Sequence, residues 1–340
     1  PLSSLSEEEQ VLARKPGYTI PWRVHWKPSS TTTPVRPVFD GSSKTKTGSS
    51  LNDILAKGSN QMAKMLHLLI AFRYGGSALT SDVRMAYNSV SLKPEHYRYQ
   101  KFLWVHGLDL LGAIVIYIIK TLIYGIRSSG NQTIHGFKVV ANEAEAAEPD
   151  LKVGADTLRD KTYVDDIVAT YKDNETRDKA ADALISVLEY GQMTVKAVTK
   201  SGYPPDESVS VDGESVGLVG YSWKPVEDTI SLEIKPLYLE KSKRGKLPEI
   251  ITGDIKEALR PMLTKRVLLG KVMGVYDPIG LCTPLTSKLK VDLSVVIQAE
   301  GDWDDLLSEE DFLDNWVQNL MLIQSLRGIN FQRSVFCNPV

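Results

Sequence analysis

The sequence predicts an α+β fold, and three features predict it. A short apolar strand ends in an acidic residue near Asp82, a tight hairpin spans Tyr163 to Tyr171, and an amphipathic helix covers 175–190 ahead of another strand. The middle third therefore runs strand, helix, hairpin, helix, strand, which packs helices on one side of a small antiparallel sheet. With 340 residues and 42% apolar content, the chain can bury substantial cores and build two or three structural units.

Residues 30–40 read as an extended segment entering a turn at Gly41-Ser42-Ser43. Met62, Met65, Leu66, Leu69 and Phe72 recur at helical spacing, predicting a helix over 60–74 closed by Gly75-Gly76. Ala78-Leu79-Thr80-Ser81-Asp82-Val83 follows as a strand. The most apolar stretch is the ten residues from Leu110 to Ile119. A bilayer span needs about twenty, so no membrane segment is expected, and the β-branched core from Ile114 to Ile119 predicts a buried strand. The hairpin should carry Asp165-Asp166 at its tip. In the helix after it, Ala180, Leu184, Val187 and Leu188 share one face and Gly191 is the stop. Strands are expected at 194–198 and 215–223, the second leading into Lys224-Pro225. A linker with Pro236 and Pro248 precedes a helical region near 264–275. The last helix, 309–327, sets Phe312, Trp316, Leu320 and Ile323 on one face.

A formal charge of −2 supplies no overall positive field, which weighs against a nucleic-acid partner. The charge is uneven, however. A basic strip from Lys235 to Lys271 contains Lys241, Lys243, Arg244 and Lys246, while acids gather in 143–156 and 302–314. A local strip can serve where a global field is absent. The two cysteines, Cys282 and Cys337, exclude a disulfide framework and a zinc ribbon, and fit a reducing compartment. The chain opens on Pro1 without a charged-then-apolar leader, so no signal peptide is expected. The missing Met suggests a fragment, or a product cut from a longer polyprotein.

Asp82 on a strand, beside a hairpin bearing Asp165 and Asp166, offers oxygen ligands only, which suits hard cations such as Mg²⁺ over zinc. Nucleotidyl transfer uses such a cluster to hold two metals roughly 4 Å apart. Adjacent aspartates are also ordinary turn formers. Against that, Tyr163-Val164 and Ile167-Val168 make this hairpin part of a buried sheet.

Tyr163-Val164-Asp165-Asp166 resembles the YxDD box of reverse transcriptases. Asp82-Val83-Arg84-Met85-Ala86-Tyr87 resembles their motif A, with an aromatic five positions after the aspartate. Arg36-Pro37-Val38-Phe39-Asp40-Gly41-Ser42-Ser43-Lys44, followed by Gly48-Ser49-Ser50-Leu51-Asn52-Asp53, is similar to the fingers motif of Bel/Pao-type LTR retrotransposons. Tyr124-Gly125-Ile126-Arg127-Ser128-Ser129 stands in place of motif B, Gly191 to Lys196 resembles motif D, and Leu218-Val219-Gly220-Tyr221 sits where the primer grip falls. Val275-Tyr276-Asp277-Pro278-Ile279-Gly280-Leu281, with Pro284, looks like a downstream Pao segment. The boxes run in order from about residue 30 to 305. Two departures stand out: Gly130-Asn131 follows Ser129 where the family often has proline, and Gly41-Ser42 replaces a second arginine of retroviral relatives.

The resemblance implies a right-hand polymerase fold. Fingers would take 1–77 and 93–135, palm 78–92 and 136–226, thumb 227–300, and a connection region would begin over 301–340. It implies an RNA-directed DNA polymerase using deoxynucleoside triphosphates, a primed RNA or DNA template and two Mg²⁺ ions, with Mn²⁺ as a substitute. Asp82, Asp165 and the Val83 carbonyl would ligate metal, and Asp166 would tune the cluster. Tyr87 would be the steric gate against a ribose 2′-hydroxyl, or else a plain core aromatic. Arg36 would reach the triphosphate through its planar fork, or be a solvated strand arginine. Lys44 would assist template or triphosphate, or be a surface lysine. Tyr124 and Gly125 would floor the nucleotide pocket, and Gly220-Tyr221 would grip the primer. Lys196 would protonate pyrophosphate, or be one more exposed lysine. Lys241, Lys243, Arg244 and Lys246 would face template-primer phosphates, or keep a linker soluble. The setting implied is cytoplasmic, or within virus-like particles. Ribonuclease H and integrase segments are expected outside this chain, since only 35 residues follow position 305. The alternative is a silent nucleic-acid-binding or scaffold fragment of such a polyprotein.

Overall fold

Alternation along residues 77–83 decides the architecture of the first unit. In the computed structural model, which describes residues 1–26, 34–106, 113–234, 263–307 and 310–336, β3 (Ser77–Val83) is one of the two inner strands of a four-stranded antiparallel sheet. Its neighbours are β7 (Asp166–Tyr171), which also pairs with the short β6 (Thr162–Tyr163), and β8 (Val195–Lys200). Because side chains alternate between faces, Leu79 and Val83 lie on one face with Ile167 and Ala169. That face forms a core with Phe137, Ala141 and Ala144 of α4 (Ser129–Ala147), Leu158 of α5 (Lys152–Asp160), and Leu184, Val187 and Leu188 of α6 (Asn174–Tyr190). Asp82 and Asp166 fall on the other face. The helix predicted between strand and hairpin is thus two helices. The small antiparallel sheet packed on helices is as expected.

The chain divides into two compact units. One comprises Pro1–Leu68, Gly75–Lys200 and Asp206–Val209; the other comprises Leu69–Tyr74, Ser201–Pro205 and Ser210–Val340. The first unit also holds two antiparallel ribbons, β1 (Trp22–Trp26) with β2 (Val35–Phe39) and β4 (Lys101–Val105) with β5 (Ile114–Ile118). The strand predicted at 114–119 is present, but it is not buried: Ile114 is 65% exposed and Ile116 39%. A two-stranded ribbon has only one face to pack. That face brings Trp22 against Trp104 at 4.9 Å and Phe39 against Phe102 at 5.5 Å.

Local chemistry explains where other boundaries moved. The helix predicted over 60–74 is α3 (Met65–Phe72). It starts late because the Asn60 side chain accepts from the Met62 amide at 3.1 Å, an alternative to helical bonding. Gly75 has no room for a side chain, since a Cβ there would lie 2.3 Å from Thr170. Asp173 caps α6 through the Thr176 amide, as its position before the helix favours. Gly191 ends α6 for a reason other than a left-handed cap. Its φ is −80°, Gln192 takes the positive φ, and a Cβ on Gly191 would lie 2.6 Å from Val140.

In the second unit the single strand predicted over 215–223 is a hairpin. β9 (Val216–Leu218) turns through Val219 and Gly220, both at positive φ (45° and 93°), into β10 (Tyr221–Lys224). Two central residues at positive φ are what tight hairpins use. β11 (Thr229–Leu232) and β12 (Phe331–Gln332) complete the sheet. A second core joins Leu268 and Val272 of α7 (Lys265–Met273), Leu289 and Leu293 of α8 (Thr283–Gln298), and Trp316 and Leu320 of α9 (Glu310–Ser325). The sequence reading missed α8, although Leu285, Leu289, Leu293 and Val296 keep its spacing after Pro284. Among the described residues, no helix is long and apolar enough to cross a membrane.

Candidate active site

Strand register brings the three aspartates together. Asp82 on β3 is the direct partner of Asp166 on β7, and Tyr163 pairs with Asp166 across the turn. The hairpin tip is therefore Val164-Asp165, one residue earlier than the sequence suggested, and Asp166 is the first strand residue. The Asp165 carbonyl accepts from the Val83 amide at 3.3 Å, which ties the tip to the end of β3. Val164 holds φ 59°, a conformation a β-branched side chain rarely adopts. The β3–β8 pairing shifts register between Ser81 and Val83, beside Asp82.

Half-burial of three acids in one place sets their electrostatics. Burial raises the Asp82 carboxyl, the charge of Asp165 raises it further, and Lys196 on β8 pulls it down. Burial also raises Asp165, against its own backbone and the Tyr124 hydroxyl. Asp166 is pushed up to about 6 by burial, then by Asp165 and Asp82. Like charges directly opposite on a sheet are destabilising, so this arrangement favours a bound cation or a proton. Among the described residues, no three His, Cys, Asp or Glu side chains form a ready-made metal site. The donor set is carbonyl oxygen and carboxylates, on side chains only partly buried. That suits Mg²⁺, which keeps several ligands from water or substrate phosphate rather than a full protein cage.

Two tyrosines wall this cluster. Tyr87 is buried in the helical turn Ala86–Ser89. Its phenol is raised by burial and by Asp165. Tyr124 is 57% exposed, with its ring centroid 4.0 Å from that of Tyr87 and its hydroxyl 3.5 Å from Asp165 Oδ2. Its phenol is raised by burial and then by Asp165. Gly125 follows at φ 92°, and a Cβ there would lie 2.2 Å from the Phe39 carbonyl oxygen. Glycine is required there on both counts. Gly130 sits within the first turn of α4, where a Cβ would lie 3.4 Å from the Tyr87 hydroxyl.

The remaining predicted residues are placed less uniformly. Arg36 is exposed on β2, opposite His25. Lys44 is ion-paired with Asp53, whose carboxyl is lowered to about 2 by Lys44 first and then by the cap it makes with Ser50. Gly220 lies at the β9–β10 turn of the second unit. Tyr221 is 1% exposed, and its hydroxyl donates to Asp277 Oδ1 at 2.6 Å while accepting from the Ile279 amide at 3.1 Å. Its side chain is a strut inside the unit rather than a surface for a primer. Lys241, Lys243, Arg244 and Lys246 lie outside the described residues. Sequence reasoning missed Asn52, whose side chain bonds Gly125, Arg127 and Ser42. It also missed Arg333, fully buried in a bidentate pair with Asp228. Asn52 lies within the fingers-like stretch, but nothing local marks its partners, and no short-range pattern marks Arg333.

Comparisons with known proteins add two findings. Residues 264–339 match the family described as Pao retrotransposon-like RNaseH-like domain. Over 92% of its length the chain is similar in fold to the foamy viral protease-reverse transcriptase, solved in complex with an RNA/DNA hybrid, at 14% identity and a TM-score of 0.52. The match covers 34% of that structure, so this chain spans about a third of it. No curated protein matches. The description of the family matched over 264–339 is RNaseH-like, while ribonuclease H itself is expected outside this chain. The family match over the last part of the chain and the fold likeness over most of it together support a segment of a Bel/Pao-type retroelement polyprotein.

Proposed function

We propose that this chain is the polymerase segment of such a polyprotein, an RNA-directed DNA polymerase that extends a primer with deoxynucleotides. The observation that carries the reading is the pairing of Asp82 with Asp166 beside Asp165, walled by Tyr87 and Tyr124. Bound there, two Mg²⁺ ions would activate a primer 3′-hydroxyl and stabilise the pyrophosphate leaving group. Asp82, Asp165 and the Val83 carbonyl would hold them, with Mn²⁺ an acceptable substitute. Asp166 shapes the field behind them. The Tyr87 ring, with Tyr124 tilted against it at 41°, would stand as the wall that excludes a 2′-hydroxyl. Lys196, close enough to act on Asp82 electrostatically, is the proton donor to pyrophosphate. Arg36 meets the triphosphate, and Lys44 joins it by leaving Asp53.

In the same reading the units are parts of a right hand, with fingers, palm and thumb along 1–300 and a connection region beyond. Template, primer and deoxynucleotides are the partners, and the setting is cytoplasmic or particle-bound. Tyr221 burial takes its side chain out of the grip, and the Tyr276 ring covers the Cβ side of Gly220, so only the rest of the Gly220 backbone would meet a primer.

The family description favours a second reading, a nuclease centred in 264–339. Among the described residues there, Asp277 accepts from Tyr221 and from the Leu281 and Cys282 amides. Asp292 pairs with Lys288 and Asn319, and Asp304 with Arg266. Their engagement in structure favours the polymerase. Primer extension on a primed poly(rA) template, with and without Mg²⁺, separates the two. Mg²⁺-dependent extension supports the polymerase; hybrid cleavage without extension rejects it.

A further inference from the structure

Asn52 touches neither the carboxylates nor the tyrosines, yet its carboxamide joins the two loops on which the pocket floor depends. Nδ2 donates to the Gly125 carbonyl at 2.8 Å and to Ser42 Oγ at 2.9 Å, while Oδ1 accepts from the Arg127 amide at 2.8 Å. A carbonyl can only accept and an amide can only donate, so these partners fix which end of the carboxamide is which. The Asn52 backbone is held as well. Its amide donates to the Gly41 carbonyl at 2.9 Å, and its carbonyl accepts from Arg127 Nη1 at 3.3 Å.

The base beneath it is firm. Asn52 belongs to the short helix α2 (Leu51–Ile54), whose first turn is closed by reciprocal bonds between Ser50 and Asp53. Leu51 is buried with Tyr18, Ile20 and Ile123. The loops also interlock without slack: a Cβ on Gly41 would lie 2.7 Å from the Gly125 carbonyl oxygen. The residue before Gly125 is Tyr124, whose ring rests on Tyr87 and whose hydroxyl reaches Asp165.

From this geometry we infer that Asn52 is a positioning residue that fixes Tyr124, and through it the sugar-selecting wall formed with Tyr87. The inference rests on the polymerase reading for its consequence but not for its geometry. Asn52→Asp keeps the shape and the acceptor for Arg127, and sets a carboxylate oxygen against the Gly125 carbonyl. Asn52→Ala removes all three side-chain bonds without adding charge. Ser42→Ala removes only one partner and serves as the control.

Two readouts on the full chain decide the matter. One is the ratio of deoxy- to ribonucleotide incorporation in primer extension. The other is the ¹⁹F resonance of 3-fluorotyrosine placed at position 124, which needs no metal or turnover. Both Asn52 variants should move the resonance and lower selectivity by roughly ten- to a hundredfold, the scale of a misplaced positioning contact, while Ser42→Ala changes neither. An unmoved resonance in both variants overturns the inference. So does unchanged selectivity in variants that still extend. If the wild-type chain extends nothing, the polymerase reading fails, and the resonance alone still rules for or against Asn52 as the residue that places Tyr124.

Discussion

Val164 carries a branched side chain at a positive φ at the tip that presents Asp165. The first central position of such turns favours glycine. Val164→Gly should therefore stabilise the chain by about 1 kcal/mol, relief of strain outweighing the entropy glycine loses on folding. The urea midpoint followed by tryptophan fluorescence would show it, and a lowered midpoint would mean the turn is not strained. Asp166 gives a pH prediction. Its carboxyl sits near 6 in the folded chain against 3.8 when unperturbed, so the folded state binds the proton more tightly. Stability from this group is full below about 3.8 and is lost as pH rises through about 6. In EDTA the midpoint should fall across that window, and Asp166→Asn should flatten the fall. An equal slope in the variant would remove Asp166 from the cluster. Tyr87→Ala should admit ribonucleotides; a variant that extends with an unchanged ribo-to-deoxy ratio would leave Tyr87 a core residue.

At the scale of elements, period and punctuation were enough for β3, the 163–171 hairpin, α6 and the last helix, because each buries a full face at regular spacing. Three aspartates were visible as a cluster because strand ends and hairpin tips are local features. What escaped was decided by tertiary contact. The Val219-Gly220 turn splits an apolar run that reads as one strand, and Asn52 and Arg333 act through partners far along the chain. The Arg333 side chain bonds Asp228 twice at 2.7 Å and the Phe72 carbonyl at 2.6 Å, and the Trp223 indole also donates to Asp228. The residue after β12 thereby ties the end of the second unit's sheet to the β10–β11 turn through an ion pair whose arginine is buried. Arg333→Met should destabilise that unit by about 3–5 kcal/mol, because Asp228 is left half-buried without its cation. Thermal unfolding of the variant tests this. A melting curve superimposable on wild type would show that the Arg333–Asp228 pair contributes nothing to the unit's stability.

Across the whole molecule, a chain of net charge −2 must hold a polyanion through local charge if the proposed function is right. Lys241, Lys243, Arg244 and Lys246 are the strip proposed for that role. Each phosphate contact contributes a slope of roughly −0.9 in log affinity against log salt on B-form duplex. Changing all four to glutamine should flatten the slope by roughly two to three units. An unchanged slope would assign the strip to solubility. Binding alone, however, does not separate a polymerase from a silent fragment. The most direct test of the central claim is primer extension by Asp165→Asn beside wild type, with template binding measured in parallel. The account predicts Mg²⁺-dependent extension by wild type, none by the variant, and nearly equal template affinity. Extension by Asp165→Asn at a rate near wild type would contradict it.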